Sequence, residues 1–158
     1  IRENIEISSL GKEKQDSRLQ QAAKEAEIDQ WILSCADNYN TKLGNLEEGG
    51  IDLSGGQWQR LSIARMLYRK AGIYIWDEPT AAMDPLAESR LYTAFFQKRA
   101  KQNANIFVIH RLGAAVSADE ICVLKKGRLV EKGTHKQLME NKDGLYYQMF
   151  CAQKGMYE

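Results

Sequence analysis

Apolar residues recur at helical spacing in the first part of the chain. Four of them follow the i, i+3, i+4, i+7 pattern of an amphipathic helix: Leu19, Ala22, Ala23 and Ala26. A second short apolar segment covers residues 28–33. Residues 35–52 are polar and contain several glycines, a pattern typical of a loop. The early part of the chain is therefore predicted to be helical and rich in loops.

From residue 54 onward, helical and strand patterns alternate. A helix is predicted from about Gly56 to Arg69, and a strand over residues 73–76. This strand is an unbroken apolar run, which is typical of strands covered on both faces, as in parallel sheets. Asp84-Pro85 supplies an N-cap and a proline at the first helical position, so another helix is predicted there. A second apolar strand is predicted over residues 106–109.

The last third of the chain contains a predicted hairpin and a capping box. Residues 121–124 and 128–131 are apolar or alternating runs joined by a short lysine-glycine turn. Thr134-x-x-Gln137 is the pattern of a capping box, which predicts the start of the final helices. The alternation of strands and helices indicates an α/β fold.

Composition and charge narrow the class of protein. The 158 residues include 22 Lys+Arg and 21 Asp+Glu, which gives a net charge of +1, and 44% are hydrophobic. These values are typical of a globular domain and speak against a general polyanion-binding surface. No apolar run approaches the roughly 18 residues that a membrane span requires. The three cysteines never form C-x-x-C, and with only two histidines a His/Cys metal site is not expected.

A serine and two glycines precede the predicted helix at residues 56–69. Glycines at Gly55 and Gly56 allow close approach of a ligand to the backbone, and the start of a helix favours an anion. Ser54 and Gln57 complete this segment. Taken alone, the segment fits an anion site and a plain glycine turn with a serine cap equally well.

Two adjacent carboxylates and a histidine follow the predicted strands. Asp77 and Glu78 stand at the end of the first strand, at the sheet edge where α/β proteins bind ligands. A phosphate-bound Mg²⁺ would explain Asp77, and Glu78 could polarise a water for attack on a γ-phosphate. His110 ends the next strand and could contact the same phosphate. These positions favour the anion-site interpretation of the glycine segment.

These segments together resemble the nucleotide-binding domain of ABC transporters. The resemblance is carried by Leu53-Ser-Gly-Gly-Gln-Trp-Gln-Arg-Leu-Ser-Ile-Ala-Arg65, Ile73-Tyr-Ile-Trp-Asp-Glu-Pro-Thr-Ala-Ala-Met-Asp84 and Ile109-His-Arg111, in the family's order and spacing. By this resemblance Asp77 ends the Walker B strand, Glu78 is the catalytic carboxylate and His110 is the switch histidine. It also implies that Asp84 is the D-loop aspartate and that the signature consists of Ser54, Gly55, Gly56 and Gln57.

The resemblance implies a fold, a cofactor set and partners. The fold would be α/β, with a helical signature subdomain over residues 1–70 and the later part of a RecA-like P-loop NTPase core, with its parallel sheet, over residues 71–158. The implied ligands are ATP and Mg²⁺. In the family, two such domains face each other, each ATP lies between one subunit's P-loop and the other's signature, and transmembrane domains belong to the same transporter. Residues 43–59 are most similar to bacterial exporters, some of which move lantibiotic-like peptides, and residues 127–153 resemble the closing stretch of exporter-type domains. The resemblance thus implies export of a peptide or drug-like substrate.

No G-x-x-x-x-G-K-[S/T] segment occurs in the sequence, because Gly11-Lys12 is followed by Glu13 and lacks the earlier glycine. We therefore expect these residues to be the carboxyl-terminal part of a longer ATPase. The piece alone is expected to be soluble and inactive, and either marginally stable or prone to associate, because family strands would be missing from its sheet. In the whole protein it would lie at the cytoplasmic face of the membrane.

Two other functional classes stay open at this point. One is an ABC-type ATPase that acts on DNA or in translation; such relatives usually carry coiled coils, tandem cassettes or basic faces, and none is evident in the sequence. The other is a non-catalytic half-site used for dimerisation or regulation. The presence of both Glu78 and His110 speaks against such degeneracy.

Overall fold

A computed structural model describes residues 1–9, 15–44, 50–80, 85–94 and 103–154. The chain divides into two compact units, Ile1–Ile106 and Phe107–Glu158. The predicted α/β class is confirmed, because helices and strands alternate along the chain.

The first unit begins with three short helices and one longer helix. They are α1 (Arg2–Glu6), α2 (Asp16–Glu25), α3 (Asp29–Ser34) and α4 (Gly55–Arg69), with 3₁₀ turns at Ile7–Ser9 and Asn38–Asn40. The predicted apolar face of α2 is confirmed, since its four residues are all buried. This face packs against α4, which also contacts α1. Burial of a continuous apolar stripe stabilises helices that would be too short to persist alone in water.

A buried polar contact fixes α3 to the turn that follows it. The Tyr39 hydroxyl donates to the carboxylate of Asp29, and both residues are buried. Burial, together with this hydrogen bond, raises the pKa of Tyr39. The hydroxyl therefore stays protonated, and its donation satisfies the Asp29 carboxylate inside the unit.

The strands β1 (Ile73–Asp77) and β2 (Ala104–Val108) pair in a two-stranded sheet. Both predicted strands exist, although β2 begins two residues earlier than expected. The expectation that β1 is covered on both faces is wrong: Tyr74 and Trp76 are 3% and 1% exposed, whereas Ile73 and Ile75 are each 63% exposed. Side chains alternate along a strand, and within the described part of the chain packing reaches only one of the two faces.

Trp76 is a core residue. Its ring stacks on that of Tyr74 with a centroid separation of 5.8 Å. The indole Nε1 donates to Oδ1 of Asn105 on β2 at 3.1 Å. The apolar ring is therefore buried while its one polar atom keeps a partner.

Helix α5 (Pro85–Ala94) follows the first strand. Its first residue is the proline predicted at that position, and Leu91 is buried. The proposed N-cap, Asp84, lies outside the described residues.

The second unit is a hairpin packed with helices. It contains a 3₁₀ segment (Leu112–Ser117), β3 (Ile121–Lys125), β4 (Arg128–Gly133), α6 (His135–Glu140) and α7 (Leu145–Lys154). The predicted hairpin is confirmed as an antiparallel pair, and Gly127 takes a φ of +74° in its turn. The small core of this unit is formed by Leu112, Ala115, Val123, Leu138 and Tyr146.

Glu131 on β4 caps the start of α7. Its Oε1 accepts from the Leu145 amide at 3.0 Å, and its Oε2 accepts from the Tyr146 amide at 2.8 Å. The Tyr146 hydroxyl lies 2.8 Å from Nδ1 of His135 on α6, and burial raises the pKa of Tyr146. Strand and helices are thus joined by polar contacts as well as by the core. Among the described helices, none combines the length and apolar character of a membrane span.

Candidate functional site

The start of α4 is organised by a reciprocal capping box. The backbone N–H of Gln57 donates to Oγ of Ser54 at 3.3 Å, and the backbone N–H of Ser54 donates to Oε1 of the Gln57 side chain at 2.8 Å. Two amide groups at the helix start are thereby satisfied, and the backbone of this segment is held in one conformation. Ser54 stays exposed, so its hydroxyl proton can still be donated outward.

Gly55 faces open space at this helix start. A Cβ built on Gly55 would meet no atom within 4 Å, and Gly55 is already helical. Packing among the described residues therefore does not require a glycine at this position. The glycine would matter for a group that approaches from outside, because it lets that group come close to the backbone.

The acidic pair lies where β1 ends. Asp77 is the last residue of the strand, Glu78 follows it, and both are exposed. Glu78 has a φ of +44°, in the left-handed region that residues other than glycine seldom adopt. Nε2 of Gln59 on α4 donates to the Glu78 carbonyl at 3.2 Å. The predicted signature helix is therefore in contact with the backbone of Glu78 within the first unit.

The segment just after Glu78 is tied to α5 by buried polar groups. Oγ1 of Thr80 donates to Oε1 of Glu88 at 2.8 Å and lies 3.4 Å from the Tyr92 hydroxyl. All three residues are buried. Sequence reasoning did not single out Gln59, Thr80 or Glu88. The Thr80–Glu88 pair has a weak sequence signal: a polar residue follows a proline, and an acid stands early in the next helix. Gln59 has no signal beyond its place in the run from Leu53 to Arg65.

His110 belongs to the second unit, just after β2, and it is exposed. Its backbone carbonyl accepts from Nε2 of Gln153 on α7, whose Oε1 accepts from the Leu112 amide at 2.8 Å. One glutamine side chain thus fixes the backbone on both sides of residue 111. The remaining predicted site residue, Asp84, is not among the described residues.

The donor set suits a magnesium nucleotide better than a resident metal. In the described ranges there is no group of three or more His, Cys, Asp or Glu side chains that could hold a metal ion. Mg²⁺ is usually held by one or two carboxylates together with substrate phosphates and water. The exposed oxygens of Asp77 fit that requirement, and the open start of α4 fits a phosphate.

Comparisons with known proteins identify relatives along nearly the whole chain. The family model described as ABC transporter matches residues 1–81, which include Ser54 to Gln57, Asp77 and Glu78. The chain is 39% identical to the nisin transport ATP-binding protein of Lactococcus lactis subsp. lactis, over 94% of this chain and 24% of that protein. It is 44% identical to ATP-binding cassette sub-family B member 5 of Mus musculus, over 87% of this chain and 11% of that protein.

A solved structure supports the same assignment. A bacterial Atm1-family ABC exporter with ATP bound superposes with a TM-score of 0.82 at 35% identity, covering 96% of this chain and 25% of that chain. The chain thus spans between a tenth and a quarter of the length of these relatives. The agreement in sequence and in fold confirms the resemblance that the signature and Walker B segments indicate. The chain belongs to the ABC transporter family.

Proposed function

We propose that this chain forms part of the ATP-hydrolysing domain of an ABC exporter. One observation carries the proposal: within one compact unit, the helix whose capped start is open is hydrogen-bonded, through the Gln59 side chain, to the backbone carbonyl of Glu78 in the exposed acidic pair. Neither feature is needed to bury apolar surface. Together they offer donors for phosphate oxygens and carboxylates for a metal and a water.

The start of α4 would close over an ATP held by an opposing nucleotide-binding domain. The Ser54 hydroxyl and the backbone amides at Gly55 and Gly56 would donate to its γ-phosphate, with Gln57 holding the helix start in shape. The open space before Gly55 supports this proposal, since a second domain could approach there without displacing any described atom. ATP would then stabilise the contact between the two domains, because the donors gain their acceptor only when it is bound.

The carboxylates would act on a different ATP, the one held by the P-loop of their own domain, which these residues do not include. Glu78 would orient or deprotonate the attacking water, and Asp77 would hold the metal through water. His110 would donate to the γ-phosphate, and Asp84 would contribute from the D-loop. Mg²⁺ bound to the nucleotide would neutralise charge on the phosphate oxygens.

The assignment to subdomains and to a location follows from the same proposal. Residues 1–70 would form the helical signature subdomain and residues 71–158 the later part of the RecA-like core. In the whole protein these would lie on the cytoplasmic side of the membrane beside transmembrane domains. Relatives named for nisin transport and subtilin transport support a peptide or drug-like substrate.

The decisive test replaces Glu78 in the full-length protein that contains this chain. We expect Glu78→Gln to lower ATP turnover by about 100-fold or more, because a general base contributes about that factor. ATP binding should survive, so the variant should accumulate ATP-bound, closed domain pairs on size exclusion. Glu140→Gln, an exposed substitution of the same kind on α6, serves as the matched control.

Unchanged turnover in Glu78→Gln would contradict the proposal. The purified 158 residues should show no appreciable ATPase activity by themselves, because phosphoryl transfer depends on a phosphate-binding loop that the sequence does not contain. Turnover by those residues that disappears with Glu78→Gln would also contradict it.

A further inference from the structure

Gln59 links the helix that carries the proposed signature to the backbone at Glu78. It lies on α4 shortly after the capped segment, its side chain is half-buried, and its Nε2 donates to the carbonyl of Glu78 at 3.2 Å. We infer that Gln59 is a positioning residue that fixes the backbone at Glu78 and so sets the direction of its carboxylate. This inference rests on the proposed role of Glu78.

The backbone at Glu78 requires such a support. With a φ of +44°, Glu78 is in a left-handed conformation that is disfavoured for side chains with a Cβ. Strained residues persist only where the surroundings hold them in place. The hydrogen bond from Gln59 holds the carbonyl of that peptide unit, and the position of this unit determines where the carboxylate emerges after Asp77.

The next residues are anchored from a different side. Thr80 is tied to Glu88 and Tyr92 of α5 through contacts that are buried. The chain leaving β1 is therefore held by α4 at Glu78 and by α5 two residues later. A backbone rotation that turns the Glu78 carbonyl, and with it the direction in which the side chain starts, must break the bond to Gln59.

The same helix carries the proposed ATP contact. Helix α4 is 15 residues long, and its first turn is closed by the capping box of Ser54 and Gln57. Such a helix moves as a rigid element, so a displacement of its start also displaces Gln59. The direction of the Glu78 carboxylate would thus depend on the position of the start of α4. Gln59 would connect the two.

The test uses Gln59→Met in the full-length protein, because methionine keeps the length of the side chain and removes the donor. We expect kcat for ATP to fall by about five- to tenfold, the value of one hydrogen bond, with KM for ATP within about twofold of the parent. Gln21→Met on α2 is the matched control, since Gln21 is exposed and donates only to Glu25 at 2.7 Å in the described contacts. It should leave both constants unchanged.

Gln59→Asn keeps the amide on a shorter side chain and should give an intermediate kcat. A residue that merely stabilised the fold would lower thermal stability in both variants without this graded loss of kcat at constant KM. Parental kcat in Gln59→Met, equal to that of Gln21→Met, would overturn the inference.

A double-mutant cycle with Glu78→Gln separates this inference from the proposed function. If Gln59 acts through Glu78, then Gln59→Met should not further slow the residual single-turnover hydrolysis of the Glu78→Gln protein. An additional five- to tenfold loss in that background, again about the value of one hydrogen bond, would show that Gln59 acts elsewhere and would overturn the inference while leaving the role of Glu78 intact. Parental turnover in Glu78→Gln alone would instead remove the proposed function, and the inference with it.

Discussion

Two helix starts in this protein are built from the same local device and differ in what surrounds them. Helices α4 and α6 each begin with a capping box, Ser54 with Gln57 and Thr134 with Gln137. The amide-to-hydroxyl distance is 3.3 Å in both, and the reciprocal distances are 2.8 Å and 2.9 Å. As helix caps the two are equivalent.

Their surroundings differ. A Cβ at Gly55, the first residue of α4, would meet no described atom within 4 Å, whereas one at Gly133, just before the second cap, would lie 3.1 Å from Oε1 of Gln137, a side chain of that cap. The start of α6 is also closed by His135, whose ring contacts both Tyr146 and Phe150. Ser54 and Thr134 are both exposed, so what differs is the first helical residue: Gly55 leaves the start of α4 accessible to a ligand, whereas His135 packs the start of α6 against α7. The capping sequence alone does not distinguish these two arrangements.

The largest effect that this comparison predicts is a loss of activity without a loss of stability. Gly55→Ala in the full-length protein should lower ATP turnover by about 100-fold, because a methyl group would displace the phosphate from the amides by about 1 Å. Helix stability should be unchanged or higher, since alanine is the better helix former and nothing clashes. An ATPase assay tests the loss of activity, and hydrogen exchange of α4 measured by mass spectrometry tests the unchanged stability. Parental turnover would mean that no ligand approaches Gly55 closely.

The next largest effect is a loss of stability in the second unit, at the start of α7. A Cβ at Gly144 would lie 2.5 Å from Oε1 of Glu131 and 2.9 Å from the Asn141 carbonyl. Gly144→Ala should therefore disrupt the cap of α7 and destabilise the second unit locally by about 2 kcal/mol. Faster hydrogen exchange in α6 and α7, with unchanged exchange in α4, is the expected result. Equal protection in both proteins would contradict the packed arrangement.

The smallest effect is the one that the two caps should share. Ser54→Ala and Thr134→Ala should each destabilise the local helix start by about 1 kcal/mol, seen as faster exchange of the first-turn amides. Aspartate is an equally good N-cap, so Ser54→Asp and Thr134→Asp should restore protection at both helices. Of the two aspartate variants, only Ser54→Asp should lower ATP turnover relative to the parent protein, because a carboxylate at residue 54 repels phosphate oxygens. Full activity of Ser54→Asp would show that this helix start does not meet an anion.

Much of the fold could be predicted because it depends on local chemistry. The bounds of α4 and β1, the hairpin turn at Gly127 and the cap at Thr134 follow from residues close together in sequence. The one-sided burial of β1 could not be predicted, since the exposed Ile75 and the buried Trp76 are both apolar and only packing distinguishes them.

The candidate site divides in the same way. Its chemically distinctive residues are visible as motifs, and the family comparisons confirm the class of protein that those motifs indicate. The groups that hold them in place were missed. Gln59 and Glu78 are 19 residues apart, and Gln153 and His110 are 43 residues apart. A glutamine amide has no spacing rule that reveals so distant a partner.

The amino-acid order of this chain, by itself, determined the helix caps, the strand ends, the acidic pair and the family, because each depends on neighbouring residues or on a short motif. Only the tertiary structure decided which helix start stays open, which face of β1 is buried and which side chain supports Glu78. These features depend on contacts between segments far apart along the chain, and such contacts exist only after the elements have packed.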